Sequence, residues 1–355
     1  MKISFVINEP VQNATGGYKM VYMYANSLAE RGHRVSIYYQ CKKERLFSNY
    51  KIPFCFKMPI ASYLAQRGPK WFKLDSRVDG FAINEINDIS IDDNDIIIAT
   101  AVDTAEKVNN LSQSKGIKFY FIQDYENWNF SDEYVLQTYS LGMKNIVVSK
   151  WLKDIVDRYS SEESYLISNG IDTNIFYDKK LFRDNHSVVF QFRDVAMEYK
   201  GGMYSIECIE KLKKVYPDLK VRVISTNERP SVMPKFCEYY KSITPEQVSD
   251  INNRSEVFIC TSVNEGFGLP GLEAMACGCA VCSTSYKGVY EYAEDGFNAL
   301  LSPIRNVDDM VSNIIEIFKN ADLKKRLSSN AIETGIKHSH DLMSDEFENL
   351  LLKFR

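Results

Sequence analysis

Two successive α/β units, each a parallel sheet flanked by helices, are the fold this sequence predicts. Three observations predict it. Short β-branched and aromatic runs alternate with helical patterns along the chain, and the alternation restarts around Asn169–Thr173. The length of 355 residues also exceeds what one ordinary core organises and suits two domains.

Taken in order, Ile3–Ile7 is an apolar run of strand length. Tyr18–Arg31 places Met20, Val21, Tyr24, Ala25 and Leu28 at helical spacing, and Gly32 stops the helix. Val35–Tyr39 returns to strand, followed by strands at Asp95–Thr100, Lys118–Gln123 and Asn145–Ser149. In the second half, Val188–Phe192, Lys220–Thr226, Glu256–Thr261 and Ala280–Ser283 read as strands. Met203–Val215 and Pro270–Cys277 read as helices between them. Asp341–Arg355 is an amphipathic helix carrying Leu342, Phe347, Leu350, Leu351 and Phe354. The expected domains are 1–172 and 173–335, with a terminal helix at 336–355.

Composition narrows the function. Hydrophobic residues are 45% and charged residues 25%, the balance of a globular protein. The net charge of -4 excludes a general nucleic-acid binder, which needs a basic surface. The first apolar run ends at Asn8, Glu9 and Pro10, too short for a signal peptide, and no run of 18 apolar residues follows. A cytoplasmic protein is expected, meeting a membrane only at its surface. Cys277, Cys279 and Cys282 crowd together, but no CxxC pair or nearby His completes a zinc set. Small apolar residues at a helix end and a following strand are the reading taken, and no metal is expected.

The strongest chemical signal is the string Asn264-Glu265-Gly266-Phe267-Gly268-Leu269-Pro270-Gly271-Leu272-Glu273. It reads as a strand end, a glycine loop and a helix with Pro270 near its first position. The glycines let a ligand approach the backbone, and the helix start offers unpaired N–H groups to an anion. Glu265 and Glu273 can accept hydrogen bonds from sugar or ribose hydroxyls, each worth about 1.5–3 kcal/mol. Arg193 ends a strand and Lys200 precedes a helix, so both cations can face the carboxyl edge of the second sheet. They suit a departing pyrophosphate. Thr15-Gly16-Gly17 lies between the first strand and helix. It is not the dinucleotide G-x-G-x-x-G fingerprint, yet it can set backbone amides against a phosphate or a sugar.

The string Glu265–Glu273 resembles the E-x7-E signature of the retaining glycosyltransferases of family 4, whose GT-B fold has two Rossmann-like domains facing a central cleft. Arg193 and Lys200 match that family's donor-phosphate cations, and Gly16-Gly17 its N-terminal glycine loop. Asn169-Gly170-Ile171-Asp172 matches the N-G-V-D that closes the first domain. The resemblance implies a nucleotide-sugar donor, of UDP or dTDP type, contacted by Gly16, Gly17, Arg193, Lys200, Glu265, Gly266, Phe267, Gly268, Leu269 and Glu273. It implies a glycan or lipid-linked acceptor on the first domain, no metal or other cofactor, retention of configuration, and a C-terminal helix crossing back to the first domain.

Two departures from the family are visible. No His occupies the middle of the first domain; instead a strand runs into Gln123-Asp124-Tyr125-Glu126, similar to a string in rhamnosyltransferases of bacterial surface-polysaccharide assembly. Asp124 or Glu126 is expected to orient acceptor or sugar, a helix cap or loop ion pair being the alternative; Asp124 joins Arg193, Lys200 and Glu265 in the expected catalytic set. Lys287-Gly288-Val289 stands where relatives carry two glycines, so Lys287 is either a further phosphate contact or simply exposed.

Lys42–Arg77 holds nine Lys and Arg against Glu44 and Asp75, a local charge of +7, with Phe47, Tyr50, Phe54, Phe56, Trp71 and Phe72 interleaved. Lys70-Trp71-Phe72-Lys73 is expected to anchor on an anionic membrane; a basic, partly core-packed surface is the alternative. A nucleotide-sugar epimerase, a phosphorylase or an inactive glycan-binding subunit could share the architecture. The scarcity of His weighs against the first, and the retained Arg193, Lys200, Glu265 and Glu273 against the last.

Overall fold

The computed structural model describes residues 1–11, 14–44, 46–47 and 52–355, and divides the chain into two units. The first unit comprises Met1–Ser168 and Met343–Arg355; the second is Asn169–Leu342.

In the first unit the elements run β1 (Lys2–Asn8), α1 (Gly16–Glu30), β2 (Arg34–Gln40), α2 (Phe54–Arg67) and β3 (Val78–Ile83). They continue as β4 (Ile96–Ala99), α3 (Val102–Asn109), β5 (Ile117–Ile122), α4 (Asp132–Tyr139), β6 (Lys144–Val147), α5 (Lys150–Tyr159) and β7 (Tyr165–Leu166). The seven strands form one sheet in the order β3-β2-β1-β4-β5-β6-β7, every pair parallel. A parallel sheet is covered on both faces, so its central strands read as continuous apolar runs rather than alternations. Ile3, Phe5, Val6 and Ile7 of β1 are accordingly all buried. So are Met20, Val21, Tyr24, Ala25 and Leu28, the face of α1 expected from its spacing.

The second unit holds β8 (Ser187–Gln191), α6 (Gly202–Val215), β9 (Lys220–Ser225), β10 (Cys237–Lys241), α7 (Pro245–Asn253) and β11 (Val257–Cys260). Then come α8 (Leu269–Ala276), β12 (Ala280–Thr284), β13 (Ala299–Ser302), α9 (Val307–Lys319) and α10 (Ala321–Lys337). Its sheet order is β10-β9-β8-β11-β12-β13, again wholly parallel. Val188, Phe190, Ile209, Leu212, Val221 and Ile259 centre its core. Cys277, Cys279 and Cys282 are buried there, and Cys279 Sγ donates to the Asn252 carbonyl at 3.0 Å.

The last helix, α11 (His340–Leu352), belongs to the first unit from Met343 onward. Phe347 is wholly buried, stacked on Tyr24 at 4.2 Å and edge-on to Phe121 at 5.8 Å. Phe354 meets Phe119 and Tyr165 edge-on. At the rim, Arg31 pairs with Asp345 at 2.6 Å and Glu348 at 2.8 Å, and His33 Nε2 meets Glu348 at 2.7 Å. Despite partial burial, these contacts hold the Glu348 carboxyl below its usual range.

The boundaries differ from those expected at 172/173 and 335/336. The first unit closes after Ser168, because Ile171 N–H donates to His338 O and His340 N–H to Ile171 O, tying 169–172 into the second unit. The terminal segment is not one helix from 336, since α10 continues through Lys337 and a break at His338–Ser339 precedes α11.

Candidate functional site

Both sheets reverse their strand order once, at β1/β4 and at β8/β11. Side chains leaving the carboxyl ends of those strands face the crevice where open α/β sheets take ligands.

In the second unit, β8 delivers Arg193 two residues past its end, half-buried, with its carbonyl accepting from Asn227 Nδ2 at 2.7 Å. The chain then turns through Tyr199, whose carbonyl accepts from Val263 N at 2.8 Å and Asn264 N at 3.2 Å. This lashes the loop after β8 to the loop after β11. Consequently Lys200 Nζ stands 3.4 Å from Glu265 Oε1 and 5.2 Å over the Tyr199 ring. Ser262 Oγ donates to the same Glu265 oxygen at 2.6 Å. Residues 65 positions apart thus share one half-buried cluster beside the start of α8.

That start is held by two tyrosines. Gly268 caps α8 at φ +100°, a conformation L side chains rarely adopt, and a Cβ there would lie 1.9 Å from Tyr286 Oη. Tyr286 and Tyr292 hydroxyls meet at 2.8 Å, and Tyr292 Oη donates to the Gly268 carbonyl at 2.9 Å. Phe267 and Leu269 are buried, the Phe267 ring against Tyr292, so these positions offer a ligand backbone rather than side chain. Glu273 lies one turn into α8 and is only 6% exposed, whereas Glu265 is half-buried. Gly266 neighbours the turn carrying Gly288, where a Cβ would come within 2.6 Å of the Glu265 and Gly266 carbonyls. Lys287 is exposed on that turn, one residue from this contact.

The first unit has its own polar cluster at β1/β4. Gly16 and Gly17 open α1, and Gln123 Nε2 donates to the Gly17 carbonyl at 3.2 Å. Asp103, in the first turn of α3, accepts from Asn8 Nδ2 at 2.9 Å and Lys42 Nζ at 2.6 Å. Asp124 accepts from the Tyr125 N–H at 2.9 Å. Glu126 accepts from the N–H of Val102, the first residue of α3, at 2.9 Å. Burial pushes the Glu126 carboxyl up to about 8; the Val102 N–H opposes this, while Asp103 and Asp124 add to it. Asn8 Oδ1, Glu9 Oε2 and Gln123 Oε1 are buried acceptors with no donor among the described residues, an arrangement that suits a hydroxyl-rich ligand.

The two rings of the Lys70–Lys73 string pack in part against the first unit, while Lys70 and Lys73 are exposed. Trp71 Nε1 donates to the Val11 carbonyl at 3.2 Å, and the Trp71 and Phe72 rings pack on Tyr22 of α1 at 5.7 and 5.4 Å. Both are half-buried, because α1 offers an aromatic surface that the string alone did not reveal. Arg45, Tyr50 and Lys51 lie outside the described residues. Sequence reasoning missed Tyr199, Ser262, Tyr286 and Tyr292, whose only signal was proximity to the glycine strings.

Comparison with known proteins bears on the fold and on the second unit. Residues 176–334 match the family Glycosyl transferases group 1. An uncharacterized glycosyltransferase of Methanocaldococcus jannaschii is 26% identical over 205 residues, 55% of this chain and 55% of that protein. The N,N'-diacetylbacillosaminyl-diphospho-undecaprenol alpha-1,3-N-acetylgalactosaminyltransferase of Campylobacter jejuni is 22% identical over 103 residues, 29% of this chain and 27% of that protein. The chain spans about half the length, or less, of the curated relatives it matches. Anabaena HepE, solved with UDP and glucose, superposes with a TM-score of 0.75 at 14% identity, covering 99% of this chain and 100% of that one. The two sheets are those of the GT-B glycosyltransferase fold, and residues 176–334 carry the likeness to the group 1 glycosyl transferases.

Proposed function

We propose that the chain is a retaining glycosyltransferase, moving a sugar from a UDP- or dTDP-linked donor to a glycan or lipid-linked acceptor. The observation that carries the reading is the Lys200–Glu265 pair at 3.4 Å beside the start of α8, at the sheet's reversal point. Arg193, Lys200 and the N–H groups opening α8 form a cationic and dipolar end for the pyrophosphate; Glu265 and Glu273 accept from sugar or ribose hydroxyls. HepE was solved with UDP and glucose, and the Campylobacter relative is named for a diphospho-undecaprenol acceptor, which supports both halves of the proposal. The Gln123–Glu126 string makes rhamnose the first sugar to test.

In the reaction, the bond from the anomeric carbon to the phosphate oxygen breaks as the acceptor hydroxyl bonds to that carbon on the same face. The hydroxyl proton passes to the departing phosphate oxygen. Negative charge on that phosphate is met by Arg193 and Lys200, fixed donors commonly worth about 10²–10³ in rate each. No metal is required by this scheme, so a chelator is expected to leave turnover unchanged.

Calorimetry with UDP, dTDP, GDP and ADP tests the donor site. One nucleotide should bind selectively and bind more weakly to Glu273→Ala. Arg193→Ala and Lys200→Ala should each lower turnover at least tenfold with the fold intact. Absence of binding by all four nucleotides would sink the reading.

A further inference from the structure

We propose that Ser262, two residues past the end of β11, is the positioning residue that sets the Glu265 carboxylate for the transferred sugar. The inference rests on the donor-site reading above and names the side chain that holds one of its carboxylates in place. The two contacts on Glu265 are unequal. Ser262 Oγ donates to Oε1 at 2.6 Å, whereas Lys200 Nζ stands 3.4 Å from the same oxygen. A charge-assisted hydrogen bond at the shorter distance holds a carboxylate more firmly than an ion pair at the longer one. Lys200 is also the cation a pyrophosphate would engage, so its hold on Glu265 competes with the ligand. Ser262, only 3% exposed, has no such competitor. Among the described residues both polar contacts of Glu265 fall on Oε1, so Oε2 is the oxygen left to accept from a sugar hydroxyl.

Ser262 is itself fixed by its neighbours. Its carbonyl accepts from Oγ1 of Thr284, the last residue of β12, and Cys260 Sγ donates to its Oγ at 3.6 Å. Burial raises the Cys260 thiol above its ordinary pKa, and the Glu265 charge adds to this. The thiol therefore stays a donor to Ser262, and the serine proton is directed to Glu265. The preceding residue serves the other partner. Thr261 Oγ1 donates to the Gly201 carbonyl at 2.7 Å and meets Ser205 Oγ at 2.7 Å. Gly201 follows Lys200 at φ +68°, and a Cβ there would lie 1.8 Å from the Thr261 carbonyl. Two consecutive residues thus set the two halves of the pair, Thr261 the loop that carries Lys200 and Ser262 the carboxylate of Glu265. A site held in this way needs little reorganisation when charge develops in it.

The test is hydrolysis of UDP-glucose and dTDP-rhamnose by the full chain, water serving as acceptor, beside calorimetry with UDP and dTDP. Ser262→Ala is expected to lower the rate about tenfold while binding the free nucleotide within about twofold of wild type. Ser262→Thr, which keeps the hydroxyl, should restore most of the rate. In a crystal structure of Ser262→Ala the Glu265 carboxylate should leave its place beside residue 262. Because Ser262 acts through Glu265, Ser262→Ala/Glu265→Ala should be no slower than Glu265→Ala alone. A further loss of about tenfold in that double variant overturns the proposal. So does Glu265 keeping its place in Ser262→Ala, or free-nucleotide affinity falling as far as the rate, which marks general damage to the site. Wild type that binds neither nucleotide or hydrolyses neither donor strikes instead at the donor reading, and the crystallographic comparison still decides whether Ser262 places Glu265.

Discussion

Glu126 shows how a single position can be read for its residue type but not for its state. Its carboxyl is buried against the first turn of α3 with Asp103 and Asp124 nearby, and its pKa rises to about 8. Nothing in Gln123-Asp124-Tyr125-Glu126 foretells that, because Asp103 arrives from the first turn of α3, far off in sequence. A folded-state pKa above the unfolded value means the folded chain holds more protons between the two. Stability from this group is therefore fully present below the ordinary glutamate pKa and is lost as pH rises toward 8. Glu126→Gln removes the titration. Its stability relative to wild type is expected to climb between about pH 5 and pH 8, which denaturant melts at several pH values would record. A difference that stays flat across that window would return Glu126 to an ordinary charged carboxylate. Lys200 and Glu265 teach a similar lesson: each was identifiable from its string, whereas their 3.4 Å pairing required the Tyr199 carbonyl to join two loops.

At the scale of an element, α8 was the most legible helix in the chain, since its glycine loop, Pro270 and apolar face stand contiguous in sequence. Its support was not, because Tyr286 and Tyr292 lie beyond β12 and carry no motif of their own. Their hydroxyls hold Gly268 and meet each other, so the helix start is positioned by a small buried network. Gly268→Ala should disturb it twice, by strain at φ +100° and by collision with Tyr286 Oη. A loss of about 2–4 kcal/mol is expected, with nucleotide affinity falling in the fraction that remains folded. Tyr286→Phe removes the colliding oxygen and costs about 1–3 kcal/mol alone. The double variant Gly268→Ala/Tyr286→Phe should then lose less than the sum of the two, as residues in contact couple. Additive losses in chemical denaturation would show that the strained backbone, not the tyrosine contact, governs the site.

For the whole molecule, the two-unit plan was legible because each parallel sheet repeats strand and helix signals, and the repeat restarts once. The edges were not. β3 is interrupted in pattern by Asp79 and by Gly80, which serves the approach of α2, and β10 is a short edge strand with Glu238 and Lys241 exposed. Neither has the continuous apolar run of a central strand. The terminal helix was legible as amphipathic, but only the fold supplies Tyr24, Phe5 and Phe121 as the rings around Phe347. Those partners come from β1, α1 and β5, so one side chain near the end of the chain completes a core begun at its start. Phe347→Ala would leave a cavity that three packed elements cannot readily close, and a loss of about 3–5 kcal/mol is expected. The removed ring lies in the first unit, whereas Arg193, Lys200, Glu265 and Glu273 lie in the second. Nucleotide binding should therefore survive at temperatures where the variant stays folded, while its denaturation midpoint falls. If binding falls with Phe347→Ala well below its unfolding transition, the donor residues depend on the first unit, and the second unit cannot be treated as a self-sufficient nucleotide site.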